Sequence, residues 1–123
     1  MTTKKGKKKS GGRYYAQRKK KLSEKQGLPR IVKLGEEKKK FLRMRGGKLK
    51  VVLLRTNKAN LIDPQTKKAK VVKIENVLEV PSNQFFARQN ILTKGAIILT
   101  EKGKARITNR PSQEGCVNAI LIE

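Results

Sequence analysis

The sequence predicts an all-β fold: a small barrel of about six or seven short strands with one short helix, behind a long basic N-terminal extension. Three observations predict it. From about Ile31 onward, apolar residues arrive in short groups split by turn residues, the pattern of a small barrel or sandwich. Glycine-containing turns separate several of these groups. The first twenty-one residues hold ten Lys or Arg and no acid, and such a block repels itself and has almost nothing apolar to bury. At 123 residues the chain is long enough for one domain. The expected division is a basic extension over 1–30, disordered when free, and a β-barrel domain over 31–123.

Along the extension, Arg18 through Glu24 suits a short helical turn, although an isolated helix that short is marginal in water. The first strand pair of the barrel domain comes from Lys40-Phe41-Leu42-Arg43-Met44-Arg45 and Lys48-Leu49-Lys50-Val51-Val52-Leu53-Leu54-Arg55. Gly46-Gly47 between them reads as a two-residue hairpin turn, because such turns need positive φ. Ala59 to Ile62 forms the next strand and runs into Asp63-Pro64-Gln65-Thr66-Lys67, a type I turn with Pro at its second position. Val71 to Val80 is rich in β-branched residues and ends at Pro81.

Ser82 or Asn83 caps a short helix through Arg88, with Phe85 and Phe86 as its buried contact. Ala96 to Thr100 and Lys104 to Thr108 form a second hairpin across Glu101-Lys102-Gly103. Asn109 to Gly115 is a loop, and Val117 to Ile122 a last strand. With Phe41, Phe85 and Phe86 as the aromatics after residue 30, aliphatic side chains must fill most of the core. Closure into a barrel removes the open edges of so apolar a sheet.

The formal net charge is +23. Residues 1–50 carry 20 basic and 3 acidic side chains, a net of +17, and residues 51–123 carry 12 and 6, a net of +6. Nucleic acid is the expected polyanion, since each phosphate neutralised releases condensed counterions. An acidic membrane surface is the rival, but stable anchoring needs a second signal. The sequence offers no apolar run near 18 residues, no lipidation motif and no secretory leader.

With no His and a single cysteine, Cys116, the chain contains neither an internal disulfide nor the ligand set of a structural zinc site. Cys116 lies in a strand-like stretch and reads as a small buried hydrophobe. No acid is grouped with a base or nucleophile, so the chain reads as a non-enzyme without cofactors or small-molecule substrate. The Gly-Gly pair lacks the Gly-Lys-Ser/Thr that would make it a phosphate loop.

Two sets of residues carry the expected nucleic-acid chemistry. In the extension, Lys4, Lys5, Lys7, Lys8, Lys9, Arg13, Arg18, Lys19, Lys20 and Lys21 neutralise phosphates. Tyr14 and Tyr15 either stack on unpaired bases or pack on the domain. In the hairpin, period-two spacing places Arg43, Arg45, Lys48 and Lys50 on one face. Like charges opposed on neighbouring strands destabilise a free sheet, and a phosphate backbone across that face relieves them.

Several stretches resemble a known family. Arg43-Met44-Arg45-Gly46-Gly47-Lys48 resembles the V-R-G-G-N/K segment of the archaeal and eukaryotic small-subunit ribosomal protein, family eight. Asn90-Ile91-Leu92-Thr93-Lys94-Gly95-Ala96-Ile97-Ile98 is similar to its most typical segment. Ala105 through Leu121, with Asn109-Arg110-Pro111-Ser112-Gln113-Glu114-Gly115-Cys116 inside it, looks like the archaeal ending, and Ser10-Gly11-Gly12 resembles its Ser/Thr-Gly-Gly.

The resemblance implies a compact archaeal form and a structural role in the small ribosomal subunit, in assembly and translation, in the cytoplasmic ribosome. Its implied partners are small-subunit ribosomal RNA and neighbouring ribosomal proteins, with no membrane. Arg88, Lys94 and Arg110 join the expected RNA contacts. A free nucleic-acid-binding barrel, such as an RNA chaperone or chromatin protein, is the alternative.

Overall fold

The computed structural model describes residues 6–14 and 18–122. Lys4, Lys5 and Tyr15, named above as RNA contacts, lie outside the described residues.

Among the described residues, eight strands form two sheets. The first sheet has three strands, β1 (Lys33–Leu34), β2 (Lys38–Arg43) and β3 (Leu49–Thr56), in the order β1-β3-β2. The second is a closed barrel of five: β4 (Lys58–Ile62), β5 (Ala69–Glu79), β6 (Ile97–Thr100), β7 (Gly103–Ile107) and β8 (Asn118–Leu121). Two short helices punctuate them, α1 (Gln84–Arg88) between β5 and β6 and α2 (Pro111–Glu114) between β7 and β8. The expected barrel is therefore present, and the hairpin carrying the two glycines stands outside it.

Alternation builds the barrel. Ala59 and Leu61 of β4 point inward while Lys58, Asn60 and Ile62 are exposed, and Ala105 and Ile107 of β7 alternate with exposed Lys104 and Arg106. A five-stranded barrel has a narrow interior, and the register fills it by setting small residues against large ones. Ala105 faces Ile98, and Ala119 faces both Ile107 and Leu61. Shifts of register in β5, between Ile74 and Asn76 and between Val77 and Glu79, curve the sheet toward closure. The parallel pairing of Asn60–Ile62 with Asn118–Ile120 completes the ring.

The core is wholly aliphatic. Its members include Val32, Leu53, Val72, Ile74, Val77, Leu92, Ile98, Ile107 and Val117, each worth about 1.5–3 kcal/mol when a side chain of that size is fully buried. The aromatics depart from the expected placement. Phe86 packs against the edge of the core, but Phe85 is 68% and Phe41 65% exposed. The helix cap is as expected, with the Phe85 N–H donating to Asn83 Oδ1 at 2.9 Å.

Asn109 to Gly115, expected as a loop, contains α2. Pro111 opens it with a preset φ, and Gly115 ends it in the left-handed region at φ 76. Cys116 follows in a bend rather than a strand and is partly buried.

Candidate nucleic-acid interface

The extension is exposed throughout: every described residue before Val32 is at the surface, including Lys7, Lys8, Lys9, Arg13, Lys19, Lys20 and Lys21. Lys7 bridges Arg13, and the Lys8 N–H donates to the Gly12 carbonyl at 2.8 Å, so residues 7–13 form a tight turn. The Lys8 ammonium lies 5.6 Å from the centre of the Tyr14 ring, within the range of a cation–π contact. Further along, Leu22–Glu24 forms one 3₁₀ turn in the stretch expected to be helical. The Arg18 guanidinium meets Glu24 at 2.7 Å and is the dominant reason that carboxyl is held below its ordinary value, helped by the Lys21 N–H. Arg18 is thus partly neutralised within the chain.

The hairpin corrects one expectation. Arg43 pairs with Leu49 and Leu42 with Lys50. The connection is not the two residues Gly46-Gly47 but the five residues 44–48. Within them the Met44 N–H donates to the Lys48 carbonyl at 2.7 Å and the Gly47 N–H to the Met44 carbonyl at 3.2 Å. Relative to a two-residue turn this slips the register by one, and a one-residue slip carries a side chain to the other face. The four charges therefore do not share a face. Arg43 is on one side with Leu49, Lys50 on the other with Leu42, and Arg45 and Lys48 belong to the tip. Lys50 turns toward α2, where its Nζ donates to Gln113 Oε1 at 2.6 Å.

A third group gathers beside α2. Lys94 and Arg110 line one cleft of about 650 Å³ together with Arg30, Phe86, Pro111 and Gln113. Glu114 stands close by, lowered mainly by the Arg110 N–H and next by the Asn109 amide, with the charges of Arg110 and Lys94 adding to the effect. Arg88 is not part of this cleft. It lies at the end of α1 near Asn76 and Leu78.

Reading the sequence missed Arg30, which only the fold carries to that cleft. It also missed Lys58 and Lys73, directly opposed on the outer face of the barrel. Their like charges cost stability in the free protein. Phe41 was legible only as an aromatic set in the basic run Lys38-Lys39-Lys40-Phe41-Leu42-Arg43.

Among the described residues just two ion pairs form, Arg18–Glu24 and Lys39–Glu37, and no group of acids and cysteine is placed to hold a metal ion. No helix there is long and apolar enough to cross a membrane.

A small closed barrel, with most of the described cations that lack an ion pair set on one attached hairpin, one cleft and an exposed extension, defines a basic β-barrel protein with a surface suited to a polyanion. Residues 1–122 match the family model described as ribosomal protein S8e, and the chain belongs to that family. It is a ribosomal protein and not an enzyme. It is 55% identical over 87 residues to a protein of Methanococcus aeolicus, an alignment covering 71% of this chain and 68% of that one. Against a protein of Methanocorpusculum labreanum it is 46% identical over 114 residues, covering 93% and 91%. Each relative is named small ribosomal subunit protein eS8.

Proposed function

We propose that this chain is a structural constituent of the small ribosomal subunit that binds its ribosomal RNA through three surfaces: the extension, the β2–β3 tip and the cleft beside α2. The observation that carries the reading is the unneutralised charge. Of 32 Lys and Arg in the sequence, two pair with a carboxylate among the described residues. A phosphate backbone supplies the missing counter-charge, and the released ions drive association. Flexible cations on an extension and a hairpin suit recognition of RNA shape and backbone more than base sequence.

Titrating the protein against a small-subunit ribosomal RNA fragment at several salt concentrations tests this. Log affinity should fall steeply and linearly with log salt, and a shallow dependence overturns the reading. Sedimentation separates a resident subunit protein from a free RNA-binding barrel. The former stays with the small subunit through a high-salt wash, and the latter is released.

A further inference from the structure

Phe41 is out of place for its residue type. It is 65% exposed, and Leu49 across the hairpin is 71% exposed. The register sets Phe41 opposite Val51 and Leu49 opposite Arg43, so Phe41 and Leu49 are diagonal neighbours on one face, close enough for an aromatic side chain to reach. Arg43 shares that face, and the adjoining turn adds Arg45 and Lys48. The carboxylate of Glu37, at the far end of the strand, is already engaged by Lys39.

An exposed ring beside a free cation, with two more at the adjoining tip, asks for a partner that is flat and apolar at its centre and anionic at its edge. An unpaired nucleotide has that form: every base presents a π face, and its two flanking phosphates carry the charge. A continuous duplex hides its base faces in the stack and offers the charge alone.

We propose that Phe41 is a stacking platform for an unpaired base of RNA, with Leu49 beside the ring and Arg43 on a flanking phosphate. The proposal rests on the RNA-binding reading above and assigns that hairpin a preference for single-stranded over paired RNA.

The chain contains no Trp, so Phe41→Trp gives a lone tryptophan in the full chain, excited selectively over Tyr14 and Tyr15. Phe85→Trp, at a ring of similar exposure on α1, is the control. The probes are a twelve-residue single-stranded oligoadenylate and a blunt RNA duplex of the same length. The expected result is quenching of the reporter at 41 by the single strand and not by the duplex, with neither quenching the reporter at 85.

Phe41→Ala should weaken single-strand binding about 5- to 100-fold while leaving the salt slope unchanged, since stacking releases no counterions. Phe41→Leu, which keeps apolar bulk without a π face, should lose most of the same affinity. If both probes bind but quench positions 41 and 85 alike, or Phe41→Ala binds as the parent does, the stacking role is overturned and the RNA reading stands. If neither probe binds at low salt, both fail. Shielding of the reporter at 41 by small-subunit proteins without RNA overturns the proposal in favour of a protein partner.

Discussion

Arg43 and Lys50 stand on opposite faces of one hairpin, because residues 44–48 make a five-residue connection and pair Arg43 with Leu49. The two cations therefore have different surroundings. Arg43 is free at an exposed face, while the Lys50 ammonium donates to Gln113 at 2.6 Å. Arg43→Ala should lower RNA affinity and reduce the slope of log affinity on log salt by about 0.7–0.9, the loss of one phosphate contact. Lys50→Ala should change that slope by less. Filter binding at four or five salt concentrations checks the pair, and equal losses of slope would contradict the assignment.

Asn109 should matter more to the fold than any exposed cation. It is buried, its Oδ1 accepts the Asn118 N–H at 3.0 Å, and its amide donates to the Cys116 carbonyl at 2.9 Å and to Glu114 at 3.2 Å. It thereby fastens the segment containing α2 to the last barrel strand. Asn109→Ala removes the partner of the Asn118 N–H and of the Cys116 carbonyl and should cost about 1–3 kcal/mol, seen as a lower urea midpoint with little change in slope.

Gly46 and Gly115 share one backbone conformation in different surroundings. Both lie in the left-handed region, at φ 77 and φ 76. A Cβ at Gly46 meets nothing, whereas one at Gly115 comes within 3.4 Å of the Val51 Cγ1 and carbonyl oxygen. Gly46→Ala should cost about 1–2 kcal/mol from conformation alone. Gly115→Ala should cost a similar amount, because a Cβ there meets Val51 at ordinary van der Waals distance and needs no shift of α2 from β3. Thermal unfolding compares the two variants, and a far larger loss at Gly115 would contradict this packing of α2.

Stability should fall on acidification. The Thr66 hydroxyl, then the Gln65 N–H, hold Asp63 below its ordinary 3.8, and the Arg110 N–H, then the Asn109 amide, hold Glu114 below 4.5. Arg18 does the same for Glu24. A carboxyl lowered by folding stabilises the fold above its unfolded value, and that contribution disappears as pH falls through the folded value. The urea midpoint should hold level from pH 7 to about pH 5 and decline below it. Glu114→Gln should make the decline shallower, and a midpoint that rises on acidification would contradict these bonds.

Ile98 is fully buried opposite Ala105 in the barrel. With small residues already on that side, the barrel has little slack to close a cavity, so Ile98→Ala should cost about 2–5 kcal/mol. Calorimetry on the folded domain measures it, and a loss under 1 kcal/mol would argue against a tightly filled interior.

Much of this protein was legible in the chain itself. Local chemistry decides the β class, the Asp63 turn, the Asn83 cap and the hairpin across Glu101-Lys102-Gly103, because each depends on residues within a few positions of one another. The acid-free start declares a polyanion partner in the same way, since charge needs no fold to be counted. Tertiary structure alone decided the rest. One residue of register, set by how the chain from 44 to 48 closes on itself, moved Lys50 from Arg43's face toward Gln113. The topology put Phe41 on the hairpin outside the five-stranded ring and Phe85 on α1, and left both rings exposed. Pairing of Val32 to Leu34 with residues 90–92, and docking of α2 on β3, brought Arg30 to Lys94 and Arg110. Those outcomes depend on contacts between residues far apart in sequence, and local pattern has no term for them.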